Sequence, residues 1–136
     1  MPVGPLDKDV VRSDALSARD EGYALEIRSH WYRALPLTSL AVIDLTLDGR
    51  RIDPADLVVE ANGKRFRFQD LEERFDEWWF TTDPITLHIP APGAERGGTH
   101  RVELELGLRI PYLLIGGPDG EPLLASSHTD KTLVCA

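Results

Sequence analysis

Apolar and polar residues alternate along most of this chain with a period of two. Tyr23, Leu25 and Ile27 interleave with Glu26 and Arg28. Ile43, Leu45 and Leu47 interleave with Asp44, Thr46 and Asp48, and Ile85, Leu87 and Ile89 with Thr86 and His88. The longest run sets Val102, Leu104, Leu106, Leu108 and Ile110 against Glu103, Glu105 and Arg109. Successive side chains of a strand point to opposite faces, so each run predicts a strand with one buried and one wetted face, as in an antiparallel sheet.

Turn chemistry punctuates the runs. Asp48-Gly49 follows the 43–47 strand. Asn62-Gly63 lies between Leu57-Val58-Val59 and the Phe66, Phe68 pair, and predicts a tight hairpin because both residues tolerate positive φ. Pro90-Ala91-Pro92-Gly93 with Gly97-Gly98, and Gly116 to Gly120, predict loops. One segment departs from the period. Asp70 to Glu77 has helical spacing, with Leu71, Phe75 and Trp78 on one face and Asp70 placed to cap it. The fold class expected is all-β: an antiparallel β-sandwich, immunoglobulin-like in outline, of about seven to nine strands. It carries one short helix near 70–77. Residues 1–136 are expected to form one domain, with 1–8 as a flexible or extended N-terminal segment.

Charge narrows the function classes. Fifteen Lys and Arg against 23 Asp and Glu give a formal net charge of -8, which argues against a nucleic-acid binder and against adsorption to anionic membranes. No apolar run is long enough to span a bilayer. The first residues lack a basic stretch followed by an apolar one, so no export signal is expected and a cytoplasmic location is the default. Cys135 is the only cysteine. It excludes an intrachain disulfide, and its place after Leu133-Val134 reads as a small hydrophobe in or beside a final strand.

No autonomous catalytic, cofactor-binding or metal site is expected in this chain. It has no Gly-x-x-x-x-Gly-Lys loop and no Gly-x-Ser-x-Gly elbow. His30, His88, His100 and His128 are far apart in sequence. Glu72, Glu73, Asp76 and Glu77 read as the solvated side of the short helix. Glu103 and Glu105 read as the solvated face of a strand.

The aromatic segments carry more information. In Trp78-Trp79-Phe80, neighbouring side chains of a strand would diverge. Either both tryptophans join the core, or one faces outward as an interface anchor; the pattern leaves both open. In Ser29-His30-Trp31-Tyr32-Arg33, continued alternation puts Ser29 and Trp31 on the apolar side. It displays His30 and Tyr32 outward beside Arg33, a composition typical of interface hot spots. Pro36 lacks a backbone donor and is expected to end strand pairing there. The candidate partner interface is therefore His30, Trp31, Tyr32, Arg33, Trp78 and Trp79, with Tyr112 beyond the long strand.

Four stretches, in order, resemble a known family: HWYRALPLTSL, the following IDLTLDG, ANGKRFRFQDLEE with WWF soon after, and VELELGLRIPYL. Together they resemble the small β-subunit of bacterial C-glycoside deglycosidases over roughly residues 9 to 135, with Tyr32 to Ser39 and Asn62-Gly63-Lys64 the most specific parts. The resemblance implies a β-sandwich bound to a larger catalytic α-subunit in a hetero-oligomer. That α-subunit is implied to be a sugar-isomerase-like (β/α)8 barrel holding a divalent metal, commonly manganese. The implied reaction cleaves the C–C glycosidic bond of a 3-oxo-C-glycoside, flavonoid or related, by acid/base elimination next to the carbonyl. No catalytic residue is implied for this chain. Two other readings remain: a stand-alone carbohydrate-binding β-sandwich using Trp31, Tyr32, Trp78 and Trp79, and a small enzyme using scattered His and Glu residues.

Overall fold

The period-two runs become strands whose buried residues converge on one core. The computed structural model describes residues 10–19, 22–31, 33–80, 83–91, 94, 96–110, 120 and 123–136. Among the described residues eleven strands, each paired antiparallel within its sheet, form two larger sheets and one small pair. The five-stranded sheet holds, in spatial order, β1 (Leu16–Arg19), β2 (Gly22–Ile27), β9 (Ile85–Pro90), β6 (Val58–Ala61) and β7 (Lys64–Arg67). The four-stranded sheet runs β11 (Leu123–Val134), β10 (Thr99–Ile110), β4 (Leu40–Leu47), β5 (Arg50–Ile52). Between them in the chain lie the two partners of the small pair, β3 (Leu35–Pro36) and β8 (Trp78–Trp79).

The apolar faces of both sheets contribute to a single cluster. Leu25 opposes Leu87 and Ile27 opposes Ile85 in the first sheet, while Leu45 opposes Leu104 and Ile43 opposes Leu106 in the second. This is the all-β sandwich the alternation predicts. β4 contains one irregularity: Val42 faces Gly107 but Leu40 faces Leu108, so Ala41 is an extra residue. Such a bulge flips the parity of the strand, and it returns Leu40 to the core at 3% exposure. Both hairpin turns form as read, with Asp48 at φ 54 and Gly49 at φ 80, and Asn62 at φ 55 and Gly63 at φ 76.

The helical segment is shorter and tighter than two α-helical turns over 70–77. It is a 3-10 helix at Phe68–Glu73, with no side-chain cap at Arg67. Of the expected apolar face only Leu71 is buried; Phe75 is 71% exposed and Trp78 has joined a strand. The cause is tertiary. Glu77 gives its carbonyl to the Leu37 N–H and its carboxylate to Lys64 and Asn62, which holds the chain extended where the helix would continue. Cys135 is buried directly after β11, as its sequence context implies. Among the described residues no helix is long and apolar enough to cross a membrane. Tyr32, Tyr112 and the loop at Gly116 to Asp119 lie outside the described residues.

Candidate docking surface

The two stretches that mark the family resemblance most specifically meet at one corner. Leu35 and Pro36 form β3, and Pro36 is its last residue, as the missing N–H predicts. β3 pairs with β8 so that Leu35 faces Trp79 and Pro36 faces Trp78. The following turn, Leu37–Ser39, is laced to the 72–77 segment. Leu37 N–H donates to Glu77 O at 2.8 Å, Thr38 N–H to Arg74 O at 3.3 Å, and Thr38 Oγ1 to Glu72 O at 2.9 Å.

The Asn62-Gly63-Lys64 turn clamps the same segment from the other side. Asn62 Nδ2 donates to Trp78 O at 2.9 Å and to Glu77 Oε2 at 3.2 Å, and Lys64 Nζ reaches Glu77 Oε1 at 2.5 Å. The Lys64 ammonium, followed by the Asn62 amide, holds the Glu77 carboxyl below its ordinary range. Glu77 is thus a nearly buried carboxylate with its acceptors satisfied, 8% exposed in a corner otherwise wet. Sequence reasoning read it as a solvated helix residue. The one signal for its role is the Lys two residues past Asn62 at the hairpin turn.

This scaffold divides the tryptophans. Trp79 is 2% exposed, packs in the core and donates its ring N–H to Asp83 O at 3.1 Å. Trp78, one residue earlier, points the other way and is 44% exposed. Of the two arrangements the sequence left open, the structure has the one with a single outward tryptophan. Phe80 at 47% and Phe75 at 71% exposure lie close along the same segment. Phe75 lines an open cleft of about 500 Å³ with Pro36, Thr38, Ser39, Glu72 and Arg109. Phe75 was missed as a surface residue because its spacing from Leu71 mimics a helix stripe.

The remaining sequence candidates separate from this corner. His30 is not displayed outward. It is 8% exposed, and its Nε2–H donates to Ala125 O of β11 at 2.9 Å. β2 ends at Ile27, so the alternation on which the outward orientation of His30 rested does not continue through it. Trp31 is half-buried against the core and Arg33 is exposed. His30 is therefore held by β11 and Trp79 by β3 and Asp83, on different strands.

The other polar groupings are cross-strand pairs. His88 Nε2 donates to Glu60 Oε1 at 3.0 Å, His100 Nδ1 to Asp48 Oδ2 at 2.6 Å, and Arg101 forks onto Asp130 at 2.8 and 3.1 Å. Each partner keeps its carboxyl below the ordinary range, by hydrogen bonding first. A hollow of about 130 Å³ near His88 and Tyr23 is smaller than the roughly 300 Å³ of typical ligand pockets. Among the described residues no three His, Cys, Asp or Glu side chains converge as metal ligands.

Comparison with known proteins gives one answer. Residues 6–112 match the family model described as C-glycoside deglycosidase beta subunit. The chain is 36% identical over 122 residues to the 3'-dehydrocarminate deglycosidase beta subunit of a Microbacterium species, covering 90% of this chain and 89% of that protein. It is 36% identical over 128 residues to the C-glycoside deglycosidase beta subunit of Microbacterium trichothecenolyticum, covering 94% and 92%. A third relative, the C-glycoside deglycosidase beta subunit of Arthrobacter globiformis, is 33% identical over 127 residues, covering 93% and 95%.

Proposed function

The chain belongs to the C-glycoside deglycosidase beta subunit family, and from that premise we propose that it is the non-catalytic subunit of a cytoplasmic two-subunit enzyme. Its partner is a (β/α)8-barrel α-subunit that carries a divalent metal, manganese, and the catalytic groups. The complex cleaves the C–C glycosidic bond of 3-oxo-C-glycosides of the flavonoid type. It does so by abstracting a proton next to the sugar carbonyl and eliminating the aglycone. Such chemistry needs a base within hydrogen-bond reach and an electrophile for the developing oxyanion. We assign both to the partner.

The observation that carries this reading is the aromatic corner. Phe75, Trp78 and Phe80 are exposed on a segment fixed by hydrogen bonds from two separate turns. Large aromatics held rigidly in water are typical interface anchors, since they bring contact area at little entropic cost. The role of this chain is then to brace the barrel through Trp78 and its neighbours.

The test is reconstitution. The isolated chain is expected to leave a 3-oxo-C-glycoside intact, and co-expression with its α-subunit to give cleavage that stops when the metal is chelated. Metal-dependent turnover by the isolated chain would sink the proposal. Saturable binding of free glycosides to the isolated chain, lost on replacing Trp78, would favour a carbohydrate-binding module instead.

A further inference from the structure

Five large apolar side chains are exposed among the described residues, and three of them, Phe75, Trp78 and Phe80, fall within six residues. Pro36 joins two of these into one surface: it faces Trp78 across the β3–β8 pair and lines the cleft with Phe75. The same stretch of chain, 70–83, carries six carboxylates and a single cation, Arg74. We propose that this corner is a charge-steered docking surface, and that the face of the α-subunit it meets is basic, an apolar hollow ringed by Lys and Arg side chains. The proposal rests on the reading above that the corner is where the partner binds.

The carboxylates along the sheets are matched. Asp44, Asp48, Glu60, Glu103 and Asp130 each hold an arginine or a histidine. At the corner only Glu77 is matched, by Lys64. Asp70, Glu72, Glu73, Asp76 and Asp83 are exposed, and among the described residues no ion pair or side-chain hydrogen bond ties their carboxylates down. No other stretch of the described chain gathers so many. Arg74 does not offset them. Its guanidinium lies over the Phe66 ring, 5.1 Å from the centroid, and its Nε is buried. The cleft beside Phe75 has Arg109 on its lining, with Glu72 on the same lining to balance it. The corner thus presents apolar rings in a field of negative charge.

Such a field selects its partner. Exposed carboxylates are well solvated, but burial against a neutral or acidic face strands them without counter-ions and is costly. A second copy of this chain would set the same acidic rim against itself in an isologous contact, which opposes self-association through the corner. A neutral sugar would leave the charges unused. A basic face offers the rim its counter-ions while Phe75 and Trp78 fill the hollow between them. The division of labour is then kinetic. Rim charges steer the encounter and raise the association rate, and the apolar anchors set the dissociation rate.

Association and dissociation rates of the full chain on immobilised α-subunit test this. Raising the salt from about 50 to about 500 mM should slow association about tenfold or more and leave dissociation within about twofold. The double variant Glu73→Lys, Asp76→Lys should associate about tenfold more slowly at low salt and lose most of the salt dependence. Glu103→Lys, Glu105→Lys changes the net charge equally, but on the outer face of the four-stranded sheet, and should slow association by less than about threefold. Melting curves matched to the parent certify each variant as folded. Association that salt leaves unchanged, or speeds up, overturns the proposal. So do sheet reversals that slow association as much as the corner reversals. Trp78→Ala separates this proposal from the docking reading. If it speeds dissociation while salt leaves association unchanged, the corner docks the partner and only the basic complement is wrong. If neither dissociation nor affinity responds to Trp78→Ala, the docking reading fails and the basic complement fails with it.

Discussion

Truncating Trp78 and truncating Trp79 should give opposite phenotypes, although the two residues are adjacent. Trp79 is 2% exposed. Replacing a buried tryptophan by alanine removes transfer energy and leaves a cavity, for a cost of about 3–5 kcal/mol. It also orphans the Asp83 carbonyl that accepts the ring N–H at 3.1 Å, which places Trp79→Ala toward the upper end of that range. For a domain of this size each kcal/mol moves the midpoint by roughly 3–5 °C, so Tm should fall by about 12–20 °C. Trp78 keeps 44% of its surface in water, and its truncation should cost folding only about 1–2 kcal/mol. Its effect should fall on association, where losing a hot-spot aromatic costs about 2 kcal/mol or more, roughly a thirtyfold weaker Kd. Thermal melts of the isolated variants, with affinity capture on the α-subunit, separate the two losses. The reasoning fails if Trp78→Ala melts as low as Trp79→Ala, or if it captures the partner at parental affinity.

Three further outcomes are expected. Lys64→Met and Asn62→Ala loosen the clamp on Glu77 and Trp78, and should weaken partner capture more than they lower Tm; unchanged capture with both would leave the clamp without a docking role. Gly22→Ala should destabilise the chain by about 3 kcal/mol or more, read by denaturant midpoint. Gly22 sits at φ 148, and a Cβ there would lie 2.0 Å from Ile89 O. The carboxyls of Asp48, Glu60, Glu77 and Asp130 are all held low in the folded chain by their partners. Their stabilisation is therefore complete above the ordinary carboxylate range, near pH 4, and is lost as pH falls through the depressed folded values. The denaturant midpoint should drop along that acid limb, and Glu77→Gln should flatten part of the drop.

The legible part of this fold was the part governed by one-sided burial. β2, β4, β9 and β10 each have a clean apolar face, and the Asn62-Gly63 turn needs positive φ, so pattern alone located them. Of β11 only the Leu133-Val134-Cys135 end was legible, because the pattern of the rest is inverted. Its inward face carries Ser127, Thr129 and Lys131, and its outward face Leu124 and Val134. Its place is set by pairing with β10, which leaves no local trace. The helix was over-extended for a related reason: Leu71, Phe75 and Trp78 have the right spacing, but Glu77 is claimed by residues 37, 62 and 64. The same blindness applied to His30, whose burial depends on Ala125, far away in sequence. Trp78 and Trp79 were legible as a choice, and only the pairing with Leu35 and Pro36 decided it.

The order of strands has a consequence for how the chain folds. β2 finds its partner in β9, with Ile27 against Ile85, and β4 finds its partner in β10, with Leu47 against Val102. Neither central pairing is local, so little native sheet can be rewarded before long loops have closed. Chains dominated by such pairings fold on the millisecond-to-second scale, not the microsecond scale of helical bundles. During that interval the alternating strands are finished sequences with unfinished partners, their apolar faces open to any neighbour. A refolding chevron with a slow limb, and a yield that falls as chain concentration rises, are the kinetic signature to expect of this topology.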